Sequence, residues 1–378
     1  MKILMDARVM GESPSGIGIY IYNFAKGICD LYPDVEVELV TDIAVSSQIQ
    51  EFESKGITIY KYGQKIRKNF ALIKYYKYVQ QVIYESKPDV FWECNNIFLT
   101  RIVNPYGKVV TTIHDMFPLT MKGCFGKIYP YYFRYGIHNT IKNVDFIVYN
   151  SEETRRDTEK FFPRAKNIPS ELLYIVVPEP QKDGENTERK VKVPYYFYIG
   201  NLEKRKGSDI LIKGFQKYRE LGGTKHLYAG GKVREEDIQL LVDKAIRETE
   251  GFHYVGYVTG ADKENYLKYA DGFLFPSRAE GFGIPVLEAM EYDSPILLSD
   301  LSIFREIVGD VSHEFILDED ADRSAQRMAD LMLHMDKADV SREREENHLQ
   351  MQQVLDRYRA RTLVPKLIKT FEGMIKGS

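Results

Sequence analysis

Apolar and polar positions alternate along this chain in blocks, and the blocks repeat one order: a short apolar run, a glycine- or proline-marked turn, then an amphipathic stretch. The run at 2–6 ends in a loop of Gly, Ser and Pro, and a helix-like pattern follows over 17–31. Runs at 35–41, 57–60, 90–93, 109–113 and 146–150 read as further buried strands, with a helix over 70–86. Continuous apolar runs of this length, separated by helical patterns, predict parallel strands covered on both faces. Between 178 and 194 the periodicity stops in favour of charge, Gly and Asn, which marks a linker at 181–194. The alternation then restarts, with strands at 195–199, 226–229, 252–255, 272–275 and 295–298, helical composition beyond 321, and an amphipathic helix over 363–375. The expected fold class is therefore α/β, with a Rossmann-like domain at 1–180, a second at 195–360, and a last helix, 361–378, that returns to the first.

Composition narrows the possibilities. A length of 378 residues exceeds what one core usually supports, which agrees with two domains. A net charge of −3 gives no global attraction to nucleic acid, and no nucleic-acid recognition motif accompanies the local basic patches. Cys29, Cys94 and Cys124 are odd in number and widely spaced, so neither a disulfide framework nor a zinc site is expected. No apolar run reaches 18 residues and the N-terminus lacks a secretory pattern, which predicts a cytoplasmic protein without a membrane span. The segment 61–87 holds seven Lys or Arg against one acid, interleaved with Tyr62, Phe70, Tyr75, Tyr76 and Tyr78. It is a candidate surface for peripheral association with an anionic membrane, set against the plainer reading of a solvated basic face.

The chemistry concentrates in FPSRAEGFGIPVLEAM at 275–290, where a buried strand runs into a glycine-spaced turn and a helix. Pro285 suits the first helical position, so the backbone of 283–286 forms a helix N-terminus of the kind that binds phosphate. Glu280 lies before that end and Glu288 about one turn inside it, so the two carboxylates can grip sugar and ribose hydroxyls on either side of a diphosphate. The alternative is an ordinary strand–turn–helix corner with a surface Glu288. Arg205 and Lys206 follow the first strand of the second half, where two cations can neutralise a diphosphate. SGIG at 15–18 lacks the pattern of a dinucleotide fingerprint, which argues against a dehydrogenase. DEDAD at 318–322 reads as a polar turn before a helix rather than a metal motif.

The 275–290 segment resembles the E-x7-E signature of the retaining glycosyltransferase family 4. YIGNLEKRKG at 198–207, YVGYV at 254–258, YLKYAD at 266–271 and FREIVG at 304–309 follow in that family's order, with weaker matches in DAR at 6–8, SGIG at 15–18 and TIHDM at 112–116. The resemblance implies a GT-B fold, two Rossmann-like domains facing each other across a cleft. It implies that Glu280 binds hydroxyls of the transferred sugar and Glu288 the ribose. The backbone of Gly281, Phe282, Gly283, Ile284 and Pro285 then meets sugar and diphosphate, and that of Val258 the base. His114 lies near the reacting carbon, Gly16 near the donor, and Ser15 and Asp115 serve the acceptor. Many relatives carry Arg directly after the glycine that ends the strand; Asn201 stands there, and Arg205 is the candidate replacement. The implied reaction moves a hexose, with GDP-mannose or a UDP-sugar as co-substrate, to a saccharide or lipid-linked acceptor, without metal or cofactor. Nucleotide-sugar epimerisation and non-catalytic sugar binding remain as rival readings.

Overall fold

The computed structural model describes every residue except 12–15, 43–45, 65, 67, 68, 122–124, 180–187, 259 and 378, and the side chains of Asn69 and Phe70. The chain forms two compact units, Met1–Pro178 with Tyr358–Ser378, and Glu179–Arg357.

In the first unit, β1 (Lys2–Asp6), α1 (Gly16–Leu31), β2 (Glu36–Thr41), α2 (Ser47–Ser54), β3 (Thr58–Lys61), α3 (Asn69–Ser86) and β4 (Val90–Glu93) are followed by β5 (Lys108–Ile113). Then come α4 (Phe117–Thr120), α5 (Tyr129–Asn143), β6 (Phe146–Tyr149), α6 (Glu152–Phe161) and β7 (Ser170–Leu172). The seven strands form one sheet in the order β3-β2-β1-β4-β5-β6-β7. Every pair is parallel. β4 is buried at all four positions, as an inner strand with helices on both faces must be. Helix α1 turns Tyr20, Ile21, Phe24, Ala25 and Ile28 inward, a spacing of one helical face. Helix α6 is capped by Ser151, whose hydroxyl accepts from the Thr154 N–H at 3.1 Å, with Glu152 and Glu153 in its first turn.

The second unit repeats the scheme with β8 (Tyr195–Ile199), α7 (Ser208–Glu220), β9 (His226–Gly230), α8 (Glu236–Glu248), β10 (Phe252–Gly256), α9 (Gly260–Tyr269) and β11 (Gly272–Phe275). It continues with α10 (Ile284–Met290), β12 (Ile296–Ser299), α11 (Ser302–Val308), β13 (His313–Phe315), α12 (Ala321–Met335) and α13 (Val340–Asp356). Its six strands run β10-β9-β8-β11-β12-β13, the Rossmann order. In each sheet the chain builds outward from one central strand and then reverses, between β1 and β4 and between β8 and β11. Ligands of open parallel sheets bind outside the carboxyl ends at such reversals.

The last helix, α14 (Ala360–Lys376), packs on the first unit. Gly27 of α1 lets it approach: a Cβ there would lie 2.9 Å from Val364 Cγ2 and 3.2 Å from the Ala360 Cβ. Fully buried Phe371 meets the edge of Trp92 at 5.5 Å between ring centres. Phe371→Ala leaves a cavity at that contact and should lower the unfolding free energy by about 3–5 kcal/mol. Urea denaturation measures this; a loss below about 1 kcal/mol would mean that α14 is dispensable to the unit's core.

Candidate active site

The loops that follow β8 and β11 meet at the reversal point of the second sheet. The first contains a 3-10 turn, Lys204–Lys206, closed by Gly207 in the left-handed region at φ 66°. A Cβ on Gly207 would stand 1.8 Å from the Pro276 carbonyl oxygen, so only glycine allows the loops to come this close. Their backbones are joined directly, with the Arg278 N–H donating to the Arg205 carbonyl at 2.8 Å. Arg278 also grips Asp209 through two bonds of 2.6 and 2.8 Å.

On this frame Lys206 Nζ donates to both carboxylate oxygens of Glu280 at 2.6 Å and sits 5.5 Å over the ring centre of Phe275. Side-chain exposure is 16% for Lys206 and 5% for Glu280, so the pair is largely withdrawn from water. The ammonium has three donors and the carboxylate about four acceptor positions, which leaves both able to bind a ligand while still paired. Arg205 is engaged differently: its guanidinium donates to the Ala279 carbonyl at 3.0 Å and pairs with Glu203. It fixes the residue preceding Glu280, whereas the sequence placed it beside Lys206 as a second phosphate cation.

Glu280 leads into the turn Gly281, Phe282, Gly283, and Gly283 caps α10 at φ 108°. Helix α10 begins at Ile284, which makes Pro285 its second residue rather than its first. The Val286 N–H already donates to the Gly283 carbonyl at 2.9 Å, and Pro285 has no N–H. The donors this end can offer a ligand are therefore those of Gly283 and Ile284. Glu288, half-buried on α10, pairs with Lys263 of α9 at 2.7 Å, a partner that no motif in the sequence points to. Val258 follows β10 and is nearly buried.

In the first unit, His114 directly follows β5 and is buried, with 5% of its surface exposed. Its Nε2 lies 2.9 Å from the Cys94 carbonyl, its N–H donates to Asn96 Oδ1 at 2.7 Å, and Tyr20 meets its ring edge-on at 4.8 Å. A carbonyl only accepts, so Nε2 carries the proton and Nδ1 is left as an acceptor. Burial pushes the imidazole down to about 4, so His114 is neutral at physiological pH and cannot act there as a general acid. Asp115 accepts from the Phe117 N–H at 3.1 Å and so shapes the entry to α4. Gly16 opens α1 with no neighbour that would exclude a side chain. Ser15 lies outside the described residues.

The reversal point of the first sheet holds a cluster that the sequence shows only in part. Arg8 bridges Asp6 at 2.7 Å and Glu93 at 3.2 Å, with all three side chains buried. Tyr75 donates to Asp6 at 2.8 Å and Thr111 to Glu93 at 3.0 Å. Burial, partly offset by Arg8, pushes the Glu93 carboxyl up to about 8. The signal for Glu93 was present, an acid closing an otherwise apolar strand.

One other reading changes and one holds. In the basic segment 61–87, Tyr75 and Tyr76 are fully buried and Tyr62 and Tyr78 pack against the same core, so these four build the interior, while the Phe70 side chain lies outside the described residues. Lys74 and Lys77 are exposed, while Lys65, Arg67 and Lys68 lie outside the described residues. Asp320 of the acidic run caps α12, as a polar turn before a helix should. Among the described residues no group of three His, Cys, Asp or Glu is placed to hold a metal, and no helix is long and apolar enough to cross a membrane.

Two Rossmann-like α/β units of this order define the GT-B fold of glycosyltransferases. Residues 181–348 match the family model for glycosyl transferases group 1. The chain is similar to the crystal structure of Anabaena HepE in complex with UDP and glucose, with a TM-score of 0.75 over 98% of this chain and 99% of that one, at 16% identity. It is 24% identical over 332 residues to the O-antigen chain mannosyltransferase B of Escherichia coli, covering 82% of this chain and 85% of the relative. It is 31% identical over 145 residues to the phosphatidyl-myo-inositol mannosyltransferase of Mycobacterium leprae, covering 38% and 37%. These matches support a glycosyltransferase with the GT-B fold.

Gly207→Ala should cost more than the ~1–2 kcal/mol of a left-handed non-glycine residue, because the new methyl meets a backbone carbonyl. Thermal unfolding of the variant measures the loss, and stability equal to wild type would show that the two loops are not locked together.

Proposed function

We propose that the protein is a retaining hexosyltransferase of glycosyltransferase family 4. It uses a nucleoside-diphosphate sugar, with GDP-mannose as first choice, to extend a saccharide or lipid-linked saccharide on the cytoplasmic side of the membrane. The observation that carries this is the withdrawn Lys206–Glu280 pair at the reversal point of the second sheet. A cation and a carboxylate held together there match the two ends of a sugar diphosphate. The names of two relatives favour mannose, whereas HepE was crystallised with UDP and glucose, so the donor panel below includes both GDP- and UDP-sugars.

In this reading the donor lies along the second unit. Glu280 accepts from hydroxyls of the transferred sugar and Glu288 from those of the ribose. The Gly283 and Ile284 N–H groups and Lys206 face the diphosphate, and Val258 meets the base through its backbone. Arg205 acts by fixing the Ala279–Glu280 peptide and adds its field to that of Lys206. His114, neutral and with Nδ1 unprotonated, accepts a hydrogen bond from a sugar hydroxyl, Asp115 and Ser15 serve the acceptor side, and Gly16 at the start of α1 lies on the donor side. Neither Glu280 nor Glu288 is an evident nucleophile, which favours a same-face route over double displacement. The acceptor oxygen bonds to the anomeric carbon as the bond to the diphosphate oxygen breaks, and the acceptor proton passes to that leaving oxygen. Negative charge grows on the diphosphate. A cation ~4 Å away at an effective dielectric of ~20 attracts it by ~4 kcal/mol before desolvation, so even half of that is worth ~30-fold in rate. Cations and backbone donors then fill the place that a divalent metal takes in other transferases.

The test is a panel of nucleotide sugars with saccharide acceptors, assayed in EDTA. Transfer from one donor should persist in EDTA with the anomeric configuration retained. Turnover that needs added magnesium or manganese would refute the metal-free site. Conversion of the donor's sugar without an acceptor would make the protein an epimerase instead.

A further inference from the structure

We propose that the outer face of α5, with the residues just before it, docks the first unit on an anionic lipid bilayer. Ile128, Tyr131 and Tyr135 stand 82%, 77% and 60% exposed, and Tyr129 44%. Positions 128, 131 and 135 follow helical spacing, so the three side chains share one stripe. Isolated exposed apolar residues are ordinary, but three large ones on one stripe form a patch, with Tyr129 beside it packed against Phe133. Tyrosine is suited to a bilayer interface, where its ring enters the apolar region and its hydroxyl stays with water.

Charge selects the partner. No Asp or Glu stands between Asp115 and Asp145, while Lys122, Lys127, Arg134 and Lys142 fall in that interval. Beside the stripe, α5, the end of α6 and the segment after it border an open apolar groove of about 510 Å³, lined by Tyr131, Tyr135, Phe161 and Phe162, with Arg134 and Arg164 as its cations. Arg134 lies 5.7 Å over the Phe162 ring centre, so its stem lies along the apolar wall. The acids of neighbouring α6 are partly engaged within that helix, Glu152 and Glu159 both pairing with Arg155. A second copy of this chain is the poorer occupant, since a two-fold contact would set the same basic face against itself. The basic segment on α3 is also the poorer surface, since Tyr75 and Tyr76 there are interior.

The stripe lies at the start of α5, the end of the helix that follows the carboxyl edge of β5. Tyr129 is near enough to Asp115 for that carboxylate to add to the effect of burial on its phenol. A docked bilayer would therefore present a lipid-linked acceptor close to His114 and Asp115. That consequence rests on the proposed transferase function; the docking itself does not.

Co-sedimentation with phosphatidylcholine vesicles, with and without phosphatidylglycerol, tests the proposal. Wild type should bind the anionic vesicles in low salt and release in high salt. The triple change Ile128→Ser, Tyr131→Ser, Tyr135→Ser, and separately Arg134→Glu, should each weaken binding about tenfold or more, with unchanged circular dichroism. Transfer to a water-soluble acceptor should be unaffected in both variants, so loss of that transfer in wild type would fault the function and not the docking. Wild type that stays in the supernatant, variants that bind like wild type, or a patch that instead forms a dimer in sedimentation equilibrium would each overturn the proposal.

Discussion

The site depends on a backbone contact that admits no side chain: Gly207 lies against the Pro276 carbonyl where the loops after β8 and β11 cross. Lys206 on one loop reaches Glu280 on the other, and Arg205 the Ala279 carbonyl beside it, only because this contact holds. Residues 74 positions apart in sequence become hydrogen-bond partners. Two mobile side chains would lose rotamer freedom on forming such a pair, but here the cost is met in folding, before any ligand arrives. A ligand then meets charges that are already fixed and partly stripped of water, and charges of that kind stabilise a developing anion most strongly.

The first unit treats its polar groups in a related way. Arg8, Asp6 and Glu93 are buried together at the matching reversal of its sheet, where burial raises both carboxyls and the shared Arg8 guanidinium opposes that rise. A buried pair of this type contributes little to stability by itself, and breaking one member of it is costly. His114 next to it is kept neutral by the same burial. The first unit therefore offers oriented acceptors and donors, while the second offers charges already held in pairs.

Much of this was legible in the chain. Strands β4, β8 and β11 occupy the ranges that their apolar runs predict, because fully buried parallel strands leave an uninterrupted apolar signature. Strands β7 and β13 left none: each has three residues at a sheet edge, and β7 is only half-buried, so neither needs an apolar run. The Glu280 and Glu288 positions were visible from a strand–turn–helix signature. The aim of the Arg205 guanidinium, the Lys263 partner of Glu288 and the inward turn of Tyr75 and Tyr76 were not. Each depends on which element lies opposite, and helical periodicity cannot say which face of a mixed basic and aromatic helix meets the core.

The central claim is that the two carboxylates divide the donor between them, and calorimetric titration of Glu280→Gln and Glu288→Gln with the bare nucleoside diphosphate tests it most directly. Glu280→Gln should bind that ligand at least as tightly as wild type, since Lys206 loses a competing carboxylate and keeps its phosphate. Glu288→Gln should bind it about 10- to 100-fold more weakly, the worth of a charge-assisted hydrogen bond to the ribose. A Glu280 variant that loses diphosphate affinity as strongly as the Glu288 variant would contradict the account.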